Sequence, residues 1–305
     1  MSGAAWKQQR ERGSAFWIAL LVRIAALAGR PLAGAVLWPV ALFFVCTGSA
    51  ARRASRSYLG RVYGHRASAL QVLRHFHAFA VCTLDRWLIL AGHGPRLDVR
   101  THRPPAVAAA TAKGRGAVVL VSHLGSFEVL RQLGAGAHGV PLRIVLDRSH
   151  GGRAIALLER LDPAFAGSII DAGRGGPELV LALREALAAG CSVGIMADRL
   201  RTADEPSVPV LLLGGTVRLP AAPWVLAGVL GVPVVAAFGL YRGGGRYDAV
   251  FELLAERVER GRAGRDAAIA RLAQDYAARL ERHLRRAPYN WFNFFAYWSD
   301  EAAGD

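Results

Sequence analysis

From about Ala106 onward the chain alternates short apolar runs, bounded by turn residues, with helical stretches, and few folds accept that pattern. The runs are AVVLVS (117–122), LRIVL (142–146), SII (168–170), SVGIMA (192–197) and VPVVAAFG (232–239), with a last strand near YDAVFE (247–252). Helices fit between them at 126–135, 151–161, 177–189 and 221–230, where Gly190 and Gly231 stand at natural helix-ending positions. Such alternation predicts an α/β fold with a mostly parallel central sheet flanked by helices. Upstream, from Ser55 to about Leu90, apolar residues such as Leu70, Leu73, Phe76, Val81, Leu84 and Leu88 recur at helical spacing. Breaks at GHGPRLD and THRPP then place the start of the sheet near Ala106.

The N-terminus carries the second constraint. Residues 16–28 (FWIALLVRIAALA) are apolar apart from Arg23, and the run from Pro31 to Ala50 has no charge over twenty residues. Twenty residues is about one bilayer crossing. Pro39 allows a kinked or re-entrant segment as well as a straight helix. A cleaved signal peptide ending at Ala26-Leu27-Ala28 is disfavoured, because Arg23 interrupts the apolar stretch and a second one follows at once. Basic residues flank both sides, Lys7, Arg10 and Arg12 before and Arg52, Arg53, Arg56 and Arg61 after. Both flanks then prefer the cytoplasm, which suits a hairpin or an interfacial anchor. The expected organisation is a membrane anchor over 1–50, a helical segment over 51–104 and the α/β domain over 105–305.

Composition narrows the partners. The chain has 305 residues, is 53% hydrophobic and carries a formal charge of +15; its mean hydropathy is +0.25. Such a charge favours an acidic partner: nucleic acid, anionic lipid or an acidic carrier protein. No nucleic-acid-binding signature is present and the basic residues are spread along the chain, so nucleic acid is set aside. Cys46, Cys82 and Cys191 lie far apart among apolar neighbours, as buried thiols of a reducing compartment do.

Several signals fail on context. GAGAHG (134–139) follows a helix and precedes a strand, the reverse of a dinucleotide-binding turn. His75 and His77 point to different helix faces and have no third ligand nearby, so no metal is expected. GRGG (173–176) reads as a turn before a helix.

His123 and Glu128 remain, in VSHLGSFE. Their spacing is shared by His93 and Asp98, but only His123 follows an apolar strand and precedes a helix start. On one continuous helix, residues five apart would point about 140° away from each other. They meet only if His123 sits on the turn and Glu128 reaches back from the first helical turn. A carboxylate on one imidazole nitrogen fixes the tautomer and leaves the other nitrogen free as a general base; equally, Glu128 could be a partner of the helix dipole. Asp198 repeats the placement at the end of SVGIMA, as a site residue or as a cap on the next loop.

These residues resemble the H-x4-D/E block of the glycerolipid and lysophospholipid acyltransferase superfamily, most closely its bacterial late lipid A (lauroyl and myristoyl) acyltransferases. The resemblance extends over RRASRSYLGRVYG, GIMADR, LLLGGTVRLPAAPWVLAGVLGVPVVAAFGLYR and PYNWFNFFAYW. It implies that His123 is the general base, Glu128 its orienting carboxylate, Arg160 the cation that polarises the acyl carbonyl or binds anionic substrate, and Asp198 the site aspartate. It further implies transfer of a fatty acyl group from an acyl carrier protein or coenzyme A thioester to a hydroxyl of a glycolipid or other lipid-linked acceptor, at the cytoplasmic face of a bacterial inner membrane. No cofactor is implied. The missing F-P-E-G-T-R block, faintly echoed by GGTVRLP (214–220), argues against a simple lysophosphatidate acceptor. A lysophospholipid acyltransferase and a non-catalytic lipid-binding or assembly protein of the same fold are the alternatives. The aromatic run from Tyr289 to Trp298 either seats the domain at headgroup level or closes its core.

Overall fold

A computed structural model describes residues 29–93, 97–112, 116–135, 141–148, 163–202, 204–258 and 264–298. Three helices come first: α1 (Arg30–Thr47), α2 (Ser49–Tyr63) and α3 (Ala69–Leu88). The single helical stretch expected from Ser55 to Leu90 is therefore two helices. Gly64, in the left-handed region at φ 72°, ends α2, and Ser68 opens α3 through a reciprocal cap with Gln71.

Seven strands form the main sheet, in the order β1-β9-β8-β2-β5-β3-β4. They are β1 (Asp98–His102), β2 (Val118–Val121), β3 (Leu142–Leu146), β4 (Ile169–Asp171), β5 (Ser192–Met196), β8 (Val234–Gly243) and β9 (Arg246–Ala255). Strands β8, β2, β5, β3 and β4 run parallel; β9 turns back antiparallel on β8, and β1 joins β9 at the edge. The α/β class and mostly parallel sheet expected from the alternation are thus observed. The sheet begins earlier than expected, because β1 lies upstream of Ala106. Its sequence, DVRTH, is polar and mostly exposed, as an edge strand held by backbone pairing can be.

Side-chain alternation along β2 divides the core. Val118 and Leu120 pack on one face, and Val119 and Val121 on the other with Leu130 of α5 (Phe127–Ala135). The first face is covered by α7 (Gly176–Ala188), α8 (Ala222–Leu230) and α9 (Arg265–Arg286), through buried residues such as Leu183, Trp224 and Tyr276. Two short helices, α4 (Pro105–Ala110) and α6 (Pro163–Ser168), complete the described set. A separate hairpin, β6 (Ser207–Leu212) and β7 (Gly215–Pro220), turns through Leu213 and Gly214, both at positive φ, as a two-residue turn with a right-handed strand twist requires. The GGTVRLP stretch lies in this hairpin, where Arg218 donates to Ser207 Oγ at 2.8 Å.

Helix α1 lies along the domain. Ala33, Leu37 and Ala41, four apart, are buried, and the first two pack on Val81, Leu84 and Leu88 of α3. Arg30 Nε donates to the buried Asp85 at 2.7 Å, which also accepts the Tyr247 hydroxyl of β9 at 2.5 Å. The opposite face of α1 exposes Leu32, Val36, Leu42 and Phe43, while Trp38, at its flank, stacks on His77 of α3 with ring centres 3.9 Å apart. Helix α1 is the one described helix long and apolar enough to cross a membrane. The earlier apolar run, 16–28, lies outside the described residues.

The aromatic C-terminal segment closes the core, with Trp291, Phe292, Tyr297 and Trp298 all buried. Beneath it His75, fully buried, bridges two elements. Its Nε2–H donates to the Trp291 carbonyl at 2.8 Å, so its Nδ1 accepts from Ser55 Oγ at 2.9 Å. Burial holds the His75 pKa down at about 4, against an ordinary 6.5, although the hydrogen bond to the Trp291 carbonyl acts the other way. The unfolded chain then takes up a proton that the folded one refuses, so this contribution is fully present above pH ~6.5 and is lost as the pH falls toward 4, on the order of 3 kcal/mol in all. His75→Gln, which can keep both hydrogen bonds, should melt with a shallower acid dependence than the wild type between pH 7 and 4. Parallel curves would refute the assignment.

Candidate active site

The site is built where two neighbouring parallel strands end. β2 runs into Ser122-His123 and β5 into Ala197-Asp198, and the two strands pair directly, Val121 beside Met196. From β2 the chain goes on to β3, on one side of the pair. From β5 it goes through the hairpin and α8 to β8, on the other. A crevice between carboxyl ends whose connections diverge is the usual place for ligands in an open α/β sheet.

Asp198 is fully buried and His123 keeps 29% of its side chain open. His123 Nδ1 and Asp198 Oδ1 are 2.9 Å apart. The carboxylate is pinned by further donors on Oδ2: the His123 backbone amide at 2.9 Å, Trp291 Nε1 at 3.1 Å and Asn293 Nδ2 at 3.4 Å. Burial alone would raise the acid's pKa, but the charge and hydrogen bond of His123, with help from Arg199, hold it at about 2. Asp198 is therefore an acceptor at neutral pH, and Nδ1 is the nitrogen that carries the proton. Nε2, which has no hydrogen-bond partner among the described residues, then presents a lone pair.

Desolvation, and then the nearby Arg199 guanidinium, lower the His123 pKa; Asp198 opposes them without winning. The ring is tightly surrounded even though part of its edge is open. A neutral imidazole at neutral pH is the form a general base needs.

The loop that carries His123 is held by the C-terminal segment. Phe292 N donates to His123 O at 2.9 Å and Gly125 N to Asn290 O at 2.8 Å, while Ser126 N donates to Gly239 O at 2.7 Å on β8. Gly125 sits at φ 74°, and a Cβ there would come within 1.8 Å of the Gly239 carbonyl oxygen, so only glycine fits this crossing. Arg199 follows Asp198 and is spent on the same segment: Nε on Asn293 Oδ1, Nη2 on Phe292 O, and the guanidinium 5.3 Å from the centre of the Phe295 ring.

Glu128 requires a correction. His123 does sit on the turn ahead of α5, and Glu128 does lie in the first turn of that helix, but the two do not pair. The Glu128 carboxylate is buried between Arg131 Nε at 2.9 Å and Arg86 Nε of α3 at 3.3 Å. Two guanidinium groups already satisfy it, and Asp198 occupies the imidazole nitrogen it was expected to take. The orienting carboxylate is Asp198; Glu128 instead holds Arg86 near the site, where its charge also acts on His123. Arg86 keeps 45% of its side chain exposed, so it can still meet an anion. Arg160 lies outside the described residues.

Trp291, Asn293, Arg199 and Arg86 were not singled out from the sequence. For the first two the signal was present, in PYNWFNFFAYW, as polar groups embedded in an aromatic run; for Arg86 there was none. Among the described residues, no three His, Cys, Asp or Glu side chains gather as a metal site would need. GRGG folds as the turn between the short helix Ala172–Arg174 and α7. Neither a known protein family nor a curated protein matches the chain.

Proposed function

We propose that the protein is a membrane-associated acyltransferase that moves a fatty acyl group from a carrier-protein or coenzyme A thioester to a hydroxyl of a lipid-linked acceptor. The observation that carries this reading is the His123–Asp198 pair at the carboxyl ends of two paired strands, with Nδ1 tied to a buried carboxylate and Nε2 without a hydrogen-bond partner among the described residues on a side chain that stays 29% exposed. As the acceptor oxygen attacks the thioester carbon, Nε2 takes its proton, and Asp198 stabilises the imidazolium that forms. The C–S bond then breaks and the departing thiolate takes the proton back from the imidazolium. Arg160, by resemblance, is the cation proposed to polarise the acyl carbonyl, a contribution typically worth about 3 kcal/mol. The half-exposed Arg86 is suited to an anionic group on the acceptor or donor.

The exposed apolar face of α1 supports the membrane part of the reading. Because its other face is packed on α3, α1 lies in the interface in this proposal, on the cytoplasmic leaflet of a bacterial inner membrane, rather than crossing it. The test is direct. Membranes containing the protein are given radiolabelled acyl thioesters of carrier protein and of coenzyme A, and acylated lipid is separated and counted. Labelled lipid above that of membranes lacking the protein supports acyl transfer; none from either donor overturns it.

A further inference from the structure

A second basic feature stands apart from the site. Between Glu11 and Asp85 the chain has no acidic residue. Within that stretch, Arg53, Arg56, Gly60, Arg61, His65 and Arg66 line one surface groove along the outer side of α2 and the turn after it. The inner side of α2 is committed to the core through Ala54, Tyr58, Leu59 and Val62. Arg53, Arg56 and Gly60 follow at i, i+3 and i+7, so they form one stripe on the helix. Gly60 adds no side chain to the floor.

We propose that this groove binds the phosphates of anionic membrane lipids and so fixes how the protein sits on its membrane. Three observations carry the proposal. Arg56 Nε is buried and has no hydrogen-bond partner among the described residues, a costly state that an anion in the groove would relieve. Guanidinium groups match the phosphate fork, and among the described residues no carboxylate pairs with Arg53 or Arg56. The groove also follows directly on the exposed apolar helix α1. Arg52 Nη1 bonds the Val45 and Cys46 carbonyls, at 2.5 and 3.1 Å, and so clamps the start of α2 to the end of α1. Arg53 is the fifth residue of α2, about 6 Å along that helix from its first, so the groove begins next to the end of α1. An acidic carrier protein would satisfy the charge as well, but not the juxtaposition with an apolar face.

The inference rests on the membrane part of the proposed function and not on acyl transfer. Flotation of the full-length protein with vesicles of phosphatidylcholine alone, and of phosphatidylcholine with phosphatidylglycerol, measures its preference for anionic lipid. Arg53→Gln/Arg56→Gln should lower that preference about thirtyfold, roughly what two arginines contribute at such a surface. Arg100→Gln/Arg184→Gln, which removes the same charge from exposed positions elsewhere, should change it by severalfold at most. Arg53→Lys/Arg56→Lys should keep most of the preference. Arg53 is exposed and Arg56 loses no described hydrogen bond at Nε, so an unchanged melting curve is expected for all three. Equal losses in the groove and control variants would overturn the proposal, as would an unchanged preference in the groove variant. So would a groove variant that floats like the wild type but no longer binds acidic acyl carrier protein. If neither vesicle floats the wild type, the membrane reading fails as well, whereas loss of the anionic preference alone leaves acyl transfer untouched.

Discussion

His123→Ala should reduce acyl transfer by about 10²- to 10⁴-fold, the range for removing a general base, with little change in the melting curve. The side chain is 29% exposed and its one described side-chain bond is to Asp198, so its loss does not open the core. The pH profile of the wild type separates a base from a merely bulky residue. Because the site lowers the histidine's pKa, the rate should rise through a midpoint below 6.5 and be flat at neutral pH. At low pH Nε2 is protonated and cannot accept; above the midpoint it is neutral and can. Equal transfer by wild type and His123→Ala membranes at matched expression would remove His123 from the chemistry.

The second large effect is expected at Asp198 and not at Glu128. Asp198→Asn keeps the shape but turns an acceptor into a donor. Three N–H groups converge on Oδ2 and one on Oδ1, so the amide oxygen will take the Oδ2 position and its NH₂ will face His123 Nδ1. Nδ1 must then accept, the proton moves to Nε2, and the base is disabled without being removed. Transfer should fall on the order of 10⁴-fold, the loss known for a wrong imidazole tautomer in the Ser-His-Asp triad. Glu128→Gln should cost less than about tenfold in transfer, mostly in KM, together with about 1–3 kcal/mol of stability, because the Arg86 and Arg131 bonds weaken. Rates and melting midpoints of the two variants decide it. If Glu128→Gln abolishes transfer and Asp198→Asn does not, the carboxylates have been assigned the wrong way round.

Much of this fold could be read from the sequence, and the gaps have physical reasons. The central strands β2 and β5 are buried on both faces, so VVLV (118–121) and SVGIM (192–196) read as apolar runs, and LRIVL (142–146) coincides with β3 to the residue. β1 is held at an edge by backbone bonds and needs no apolar side chains. The β6–β7 hairpin was hidden by Pro209 and by Leu213, a residue that rarely takes positive φ. Its outer strand is closed off by the Gln274 side chain, which donates to the Leu211 carbonyl and accepts from the Leu211 amide as a neighbouring strand would. At the site, local context found His123 and Asp198 separately. What linked them was the pairing of β2 with β5, across 75 residues of sequence. Glu128 looked like the partner because it was near in sequence, while Arg86, which claims it, comes from a helix far upstream.

The pinning of Asp198 by Trp291 and Asn293 has a consequence for when the molecule can act. The contacts that orient His123 join residues 75 and 93 positions apart, so they form only after the chain has closed several long loops. A half-folded chain can expose an apolar helix, but in the proposed reaction it has no oriented imidazole to take the acceptor's proton. The proposed reaction therefore waits on those closures, and a chain still folding at a membrane is expected to be chemically silent.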